Sequence, residues 1–244
     1  MISIICVLSC TALHLFGPII SQLLIPRFKA IPHLLRLSWY NRLVSSIHSM
    51  VMSSITIYYW TKINPSFLPA PLVLPLQAFA NDLMVGYLLY DVIYEVMYAK
   101  QSETVLHHFL GLVIHLITRF TKSGISSFYL MGIYIAELST PFLNLTWLLY
   151  QLQLNETFIY RFGEFLLLIS FFFCRVCLGP FLLWHMIDHK ELWVGQEYSL
   201  YLSQLVCSLF IVLNVKWFFS LAYLVFWPLP RTKVDTKGKN NGAL

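Results

Sequence analysis

A short segment of the sequence places several histidines inside an otherwise apolar stretch. The residues ETVLHHFLGLVIHL, 103–116, include the adjacent pair His107 and His108 and also His115. An imidazole whose second nitrogen is oriented by a carboxylate can act as a general base, or as a nucleophile that carries an acyl group. We expect Asp91, in the preceding apolar stretch, to be this carboxylate. The sequence therefore predicts a catalytic or binding centre at these histidines and Asp91.

Other polar side chains interrupt the apolar stretches at similar depth. Such groups are costly in hydrocarbon and usually face a bundle interior or a wet cavity. At about 1.5 Å of rise per helical residue, most of them lie between the cytosolic rim and the midplane of a membrane, so neighbouring helices can bring them together. Tyr87, Asp91 and Glu95 also share one helix face, because they are four residues apart. The further candidates are His48, His115, Glu137, Arg175, Asn214 and Lys216.

Some of these residues have individual interpretations. Arg175 is expected to pair with Asp91 or Glu137, since an unpaired guanidinium is expensive in a membrane. Lys216 is interpreted as reaching back to the cytosolic interface. Pro141 should kink its helix beside Glu137, which either opens carbonyls toward a cavity or only serves helix packing. The histidines near predicted helix ends are interpreted as interfacial: His14, His33, His185 and His189.

The elements that hold these residues are predicted to be membrane helices. The chain has 244 residues, of which 58% are hydrophobic and only 11% charged, whereas a soluble domain has about 45–50% apolar and about 25% charged residues. We therefore predict an all-α membrane protein with about seven transmembrane helices and no separate soluble domain. The first helix is expected to be retained, because no cation precedes it as in a signal peptide. The apolar stretches lie near residues 2–24, 42–61, 77–98, 105–120, 125–150, 164–187 and 198–227.

Cationic residues are distributed unevenly between the two sides of these helices. Cytoplasmic loops carry the excess of Lys and Arg, so we predict a lumenal or external N-terminus and a cytosolic C-terminus. The net charge of +5 comes mostly from this asymmetry and from a basic tail that we expect to be disordered, and it suits an anionic leaflet rather than nucleic acid. The cytosolic side holds Arg27, Lys29, Arg36, Arg42, Lys100, Arg161, Arg231, Lys233, Lys237 and Lys239, and the other side holds Lys62, Arg119, Lys122 and Lys190.

Four segments resemble successive signatures of a known membrane domain. They are WYNRLVSSIHSM at 39–50, GYLLYDVIYEVMY at 86–98, VLHHFLGLVIHL at 105–116 and AELSTPFLNLTWLLY at 136–150. Together with NVKWFF near 214–219, they are similar to the TLC domain, which ceramide synthases share with the translocating-chain-associating protein. The chain most resembles the small TLC domain-containing proteins. The domains are then predicted as 1–35 (first helix and linker), 36–229 (TLC domain) and 230–244 (tail).

The resemblance implies six core helices that form a bundle around a central lipid cavity, with an additional first helix, in the endoplasmic reticulum or a connected membrane. In ceramide synthases, paired histidines and a downstream pair of aspartates mark the site where an acyl group passes from acyl-CoA to a long-chain base amine. His107 and His108 match the histidine pair. The acidic pattern differs, since this chain has Glu137 at one acidic position and Thr140 at the second. This departure speaks against ceramide synthesis itself.

Three classes of function are compatible with these residues. The leading hypothesis is a protein that binds or regulates lipids in membrane lipid homeostasis, with sphingolipid metabolism as one setting. The second is a lipid N-acyltransferase, in which His108 or His107 is the base or acyl carrier, Asp91 orients the ring and Glu137 binds the acceptor amine. The third is a seven-helix receptor or channel, with Lys216 as a candidate Schiff-base lysine. The predicted substrate-binding residues are His48, Tyr87, His115, Asn144 and Arg175.

The expected partners follow from the apolar setting. They are membrane lipids, with fatty acyl-CoA and a sphingoid base as substrates if the protein is an enzyme, and a second copy of the chain in a homodimer. No cofactor and no nucleic acid are expected. A metal site is a minor alternative, because membrane di-iron enzymes need more clustered histidines than this chain has.

Overall fold

The computed structural model is built from helices. It describes residues 1–26, 28, 31–64, 69, 72–99 and 101–227. The predicted basic tail at 230–244 and the loop cations Arg27, Lys29 and Lys100 lie outside the described residues. Within the described ranges the α-helices are α1 (Ile2–Leu24), α2 (His33–Tyr58), α3 (Pro75–Tyr94), α4 (Ser102–Thr121), α5 (Gly124–Ile133), α6 (Thr140–Gln151), α7 (Phe158–Phe171), α8 (Leu178–Asp188) and α9 (Glu197–Phe226).

Short segments of other helical types extend or join these helices. One π-helical segment follows α2 (Tyr59–Ile63) and another follows α3 (Glu95–Ala99). A 3-10 segment (Tyr134–Ser139) joins α5 to α6, and a third π segment (Phe172–Cys177) joins α7 to α8. A 3-10 turn (Lys190–Trp193) precedes α9. The described residues therefore form seven continuous helical rods, as many as the apolar stretches of the sequence.

The rods differ in how readily they could cross a membrane. In the described part of the chain, four stretches are long and apolar enough by length and composition: Ile2–Leu23, Ser102–Thr121, Phe158–Asp188 and Glu197–Phe226. The chain is therefore an integral membrane protein. The rods that contain α2, α3 and α5–α6 carry more polar residues, many of them buried against other helices. For these three rods the predicted membrane crossing stays a prediction.

The break predicted at Pro141 coincides with a change of helix type. The 3-10 segment ends at Ser139, and Pro141 lies in the first turn of α6. Proline is tolerated there because the first N–H groups of a helix have no partner within the helix. Glu137 consequently lies on a distorted stretch and not on a regular α-helix.

Close packing around α3 brings the polar residues together. α3 packs against α1, α2 and α4. Gly86 permits the approach of α1, since a Cβ at this position would lie 2.5 Å from the carbonyl oxygen of Ser3 and 2.6 Å from Cβ of Cys6. Met52 of α2 and Ala80 of α3 are fully buried in the same core. The candidate site therefore lies where α2, α3 and α4 converge.

The central lipid cavity implied by the resemblance stays a prediction. One concave region is an apolar groove of about 420 Å³ along α4. It is lined by Val96, Ser102, Val105, Leu106 and Phe109, most of which are exposed. The predicted site residues do not line this groove, because they lie between packed helices.

Candidate functional site

Asp91, His108 and Asn41 meet where α3, α4 and α2 converge. Nδ1 of His108 lies 2.6 Å from Oδ2 of Asp91, although the angle at this nitrogen is poor for a linear hydrogen bond. Oδ1 of the same carboxylate accepts a hydrogen bond of 3.0 Å from Nδ2 of Asn41. The Asp91 side chain is 2% exposed, whereas that of His108 is 18% exposed. A buried carboxylate thus orients an imidazole that keeps access to its surroundings.

The second nitrogen of His108 determines what the pair can do chemically. Nε2 forms no hydrogen bond with the described residues and is not enclosed. When Nδ1 carries the proton toward Asp91, Nε2 has a lone pair. It can then accept a hydrogen bond from a ligand, take a proton or attack a carbonyl carbon. The proximity of Asp91 and His108 agrees with the sequence analysis, while their catalytic role stays a prediction.

His107 lies on a different side of α4 from His108. Its ring packs against Phe210 at a centroid distance of 4.7 Å and against Trp217 at 5.1 Å, both on α9. Its Nδ1 is buried and has no hydrogen-bond partner among the described residues. Adjacent residues of a helix point about 100° apart, so only one histidine of the pair can meet Asp91. The structure assigns that position to His108.

His48 and Tyr87 form an aromatic wall next to the carboxylate. Their rings are stacked, with centroids 4.0 Å apart and planes inclined by 10°. Both side chains are buried, and Nε2 of His48 has no hydrogen-bond partner in the part of the chain that is described. Tyr87 precedes Asp91 by one turn on α3, as the four-residue spacing predicts. Their predicted role in substrate binding remains a prediction.

Arg175 does not form the hydrogen-bonded carboxylate pair that we expected. Its Nε donates to Oγ of Ser139 at 2.8 Å, and its Nη2 donates to Oγ1 of Thr140 at 3.1 Å. Nη1 lies 3.4 Å from Oδ1 of Asn214 on α9. Glu137, one of the two expected partners, interacts with the guanidinium electrostatically but not through a hydrogen bond. Ser139 at the end of the 3-10 segment and Thr140 at the start of α6 place two hydroxyls against the planar guanidinium, which matches several oxygens at once.

Glu137 is the predicted acidic residue with the fewest contacts. It lies in the 3-10 segment and is partly buried. Its carboxylate forms no hydrogen bond or ion pair with the described residues, yet it interacts electrostatically with His108 and with Arg175. Glu137 therefore belongs to the same polar region as the Asp91–His108 pair and keeps a free carboxylate.

Two predicted substrate-binding residues have hydrogen-bond partners on other helices. Nδ1 of His115 lies 2.8 Å from Oδ1 of Asn81 and 3.2 Å from the hydroxyl of Tyr134. Asn144 accepts a hydrogen bond of 3.1 Å from Nη1 of Arg42 and donates to the Arg42 carbonyl oxygen at 3.2 Å. These contacts join α4 to α3 and α2 to α6. Their geometry favours a structural role for His115 and Asn144.

Lys216, predicted to reach back to the cytosolic interface, forms an exposed ion pair. Its Nζ binds a carboxylate oxygen of Glu103, and Nε1 of Trp217 donates to the other oxygen at 3.1 Å. The side chains of Lys216 and Glu103 are both more than 40% exposed, at 59% and 44%. This contact connects the beginning of α4 to α9. An exposed, ion-paired lysine lends no support to a Schiff-base role.

Sequence reasoning missed several partners of the predicted residues. Asn41 lies seven residues before His48, on the same face of α2, and this spacing was the available signal for it. Asn81 and Arg42 gave no comparable signal, because their partners lie on other helices. Glu95 shares a helix face with Asp91, but this spacing alone assigns it no role. Its side chain is buried, and its Oε2 has no hydrogen-bond partner among the described residues.

A buried polar cluster inside an apolar helical bundle defines the class of this molecule: a multi-pass membrane protein with ionisable groups between its helices. The TLC domain family model matches residues 38–223, which is most of the chain. The chain therefore belongs to the TLC domain family. The match begins in α2, and α1 precedes it.

Curated relatives carry the same domain name. The chain is similar to TLC domain-containing protein 4 of Homo sapiens, with 24% identity over 221 residues, which covers 85% of this chain and 78% of that protein. It is also similar to TLC domain-containing protein 4 A of Dictyostelium discoideum, with 22% identity over 173 residues, 68% of this chain. The chain spans 66% of the length of the Dictyostelium relative.

Proposed function

We propose that this protein binds a membrane lipid through the Asp91–His108 pair and takes part in membrane lipid homeostasis. One observation supports the proposal above others: a buried carboxylate orients an imidazole whose Nε2 has no protein partner among the described residues. Membership of the TLC domain family agrees with a lipid ligand.

The proposed ligand has a polar head and an apolar chain. His108 Nε2 accepts a hydrogen bond from a hydroxyl or amide group of the head, and the free carboxylate of Glu137 favours a donor or a cation nearby. Buried sites strengthen such bonds, because water does not compete for them. The apolar groove along α4, lined by Val105 and Leu106 among others, offers a surface for the chain.

The second candidate is a lipid N-acyltransferase, which the carboxylate–imidazole contact favours. In this reaction Nε2 of His108 attacks the thioester carbonyl of acyl-CoA, and the CoA thiolate leaves. The amine of a sphingoid base then attacks the acyl carbon, the amide forms and Nε2 is released, while the amine proton passes to a base. Asp91 stabilises the positively charged ring, and Glu137 binds the amine before transfer.

Mass spectrometry of the detergent-purified full chain separates the two candidates. The protein is incubated with long-chain acyl-CoA and then with sphinganine, and it is measured under native and denaturing conditions. Lipid binding predicts a lipid that leaves on denaturation and is depleted in His108→Asn. Acyl transfer predicts a covalent acyl mass on the peptide with His107 and His108 that sphinganine removes.

The matched control is His185→Asn, a histidine of α8 that contacts α5 and not Asp91. We expect this variant to retain the wild-type lipid or adduct. Wild-type protein with neither a bound lipid nor an adduct would contradict both candidates. Equal lipid occupancy in wild type and in His108→Asn would show that the Asp91–His108 pair does not bind the lipid.

A further inference from the structure

Arg175 is a cation between the helices whose hydrogen bonds go only to neutral oxygens. Its Nε, Nη1 and Nη2 donate to the side chains of Ser139, Asn214 and Thr140. Each Nη atom carries a second N–H, and neither of these bonds to another described residue. An arginine among membrane helices is normally paired with an anion, because an unpaired charge is expensive there. The guanidinium is therefore held in place and keeps two donors for an anionic oxygen.

Glu137 supplies a negative charge close to Arg175 without being bonded to it. In a 3-10 segment, residues three apart lie on the same side, one turn and about 6 Å apart. Glu137 and Thr140 have this spacing where the segment Tyr134–Ser139 meets α6. The guanidinium bonded to Thr140 thus lies about one turn from the Glu137 carboxylate, and the two charges interact electrostatically. The hydroxyls of Ser139 and Thr140 hold the guanidinium, so the two charges form an open pair.

The acceptors of this region lie on the Glu137 side. The Glu137 carboxylate interacts electrostatically with the ring of His108. Nε2 of His108 is an acceptor without a hydrogen-bond partner among the described residues. Glu137 and His108 therefore offer acceptors to a ligand, whereas Arg175 offers donors. A ligand that satisfies both sides must carry an anionic group and a donor group together.

We propose that the lipid bound at this site has a zwitterionic head group, whose phosphate binds Arg175 and whose primary ammonium binds Glu137 and His108. The fork of a guanidinium matches phosphate oxygens through paired N–H···O bonds. A primary ammonium has three N–H donors, enough for the carboxylate and for Nε2, whereas a trimethylated ammonium has none. The ligand class is therefore a phospholipid of the phosphatidylethanolamine type. This inference rests on the proposed function and names its ligand class.

A lipid that carries only one of the two charges satisfies half of the site. Phosphatidylglycerol has the phosphate but no ammonium, so it leaves Glu137 uncompensated and brings a second negative charge near it. Sphinganine has the amine but no phosphate, so it leaves Arg175 without an anion. Because uncompensated charge is costly between packed helices, the site should discriminate against both lipids.

Native mass spectrometry of the detergent-purified full chain tests this discrimination. The protein is titrated separately with phosphatidylethanolamine, with phosphatidylglycerol of the same acyl chains and with sphinganine. We expect phosphatidylethanolamine to bind about tenfold more tightly than either of the others. Equal binding of the three lipids, or a preference for one of the other two, would overturn the inference. The proposed function would then still stand if His108→Asn loses its lipid, whereas a wild type that binds none of them would contradict both.

Glu137→Gln tests the acceptor side with little risk to folding. The substitution keeps the shape of the side chain, and the Glu137 carboxylate forms no hydrogen bond with the described residues. Loss of its charge should abolish the preference for phosphatidylethanolamine over phosphatidylglycerol, because the repulsion of the anionic lipid is lost as well. A merely structural role would weaken both lipids equally. A preference that is unchanged in this variant would overturn the inference.

Arg175→Gln tests the donor side. We expect weaker binding of both phospholipids and unchanged binding of sphinganine, and equal losses for all three lipids would contradict the phosphate contact. The matched control is Arg161→Gln, since Arg161 is paired with Glu164 on its own helix, with Nη1 3.0 Å from Oε2. This control should keep the wild-type lipid preference, and a change as large as that of Arg175→Gln would overturn the inference. If Arg175→Gln does not fold, Glu137→Gln decides.

Discussion

At the scale of single residues, several unsatisfied polar atoms belong to residues near the Asp91–His108 pair. His48 Nε2, Glu95 Oε2 and His107 Nδ1 are buried, and they lack a hydrogen-bond partner within the described residues. Leaving a buried donor or acceptor unpaired costs about 1–3 kcal/mol. Natural proteins rarely accept several such losses in one region without a ligand or water that satisfies them. These three unpaired atoms support a polar ligand near the pair.

Two substitutions of Asp91 should separate its role in stability from its role in function. Asp91→Asn keeps an oxygen that can accept from Asn41, but its amide donates to Nδ1 of His108 and moves the ring proton to Nε2. We therefore expect a near wild-type melting temperature and loss of lipid or acyl binding. Asp91→Ala leaves Asn41 and His108 without their partner and should lower the free energy of unfolding by about 1–3 kcal/mol.

Thermal unfolding in detergent measures the stability of the two Asp91 variants, and native mass spectrometry measures their lipid occupancy. Equal lipid occupancy in wild type and in Asp91→Asn would show that the tautomer of His108 is irrelevant to binding. A melting temperature of Asp91→Ala equal to that of the wild type would contradict the expected stabilising role of the Asp91 carboxylate.

At the scale of the elements, three of the predicted polar residues lie on departures from regular α-helix. Glu95 begins a π segment, Arg175 lies in another, and Glu137 lies in the 3-10 segment. Such segments leave some backbone groups outside the usual i to i−4 pattern and change the direction of the side chains that follow. They explain why Arg175 reaches Ser139 and Thr140 of a neighbouring rod. Helix type therefore helps to set the direction of these three side chains.

The close contact of α1 with α3 yields a prediction at this scale. Gly86→Ala should destabilise the protein by about 1–3 kcal/mol, because the new Cβ would lie 2.5 Å from the backbone oxygen of Ser3. Gly111→Ala is the matched control, since its Cβ would lie 3.4 Å from Cδ1 of Leu88, an ordinary contact. Both changes gain the same helix propensity.

Melting temperatures of the two variants, measured side by side in detergent, test this prediction. The result should be a clear decrease for Gly86→Ala and little change for Gly111→Ala. Equal melting temperatures would mean that α1 is not closely packed against α3 in the membrane protein.

At the scale of the whole molecule, the seven rods and the uneven distribution of Lys and Arg predict an orientation in the membrane. An odd number of crossings puts the two ends of the chain on opposite sides of the membrane. With the N-terminus in the lumen, the loop between α6 and α7 is cytosolic and the loop between α8 and α9 is lumenal.

Glycosylation mapping in microsomes tests this orientation. Asn155-Glu156-Thr157 is a glycosylation acceptor sequence in the α6–α7 loop, and the proposed orientation, which puts this loop in the cytosol, predicts that it stays unmodified. An acceptor placed in a flexible insertion after Glu191 should be modified, which an endoglycosidase-sensitive shift in mobility would reveal. Asn155→Gln serves as the control. Modification of Asn155 itself would show that the orientation is opposite to the one proposed.

The sequence by itself determined the class of the molecule and part of its site. Its composition predicted membrane helices, its segments resembled the TLC domain, and the four-residue spacing put Tyr87 and Asp91 on one face of α3. These features are local or compositional, so they can be read without knowing the packing. The divergence of His107 from His108 follows from the same helical geometry.

Only the tertiary structure decided which polar groups pair. Asp91 could have met His108 or Arg175 on spacing alone. The packing of α2, α3 and α4 selected His108, and the junction of the 3-10 segment with α6 gave Arg175 its hydroxyl partners, Ser139 and Thr140. His115 and Asn144 likewise turned out to have partners on other helices. The physical reason is that pairing depends on how each helix is rotated and on where it departs from α geometry, and both are set by the packing of all helices together.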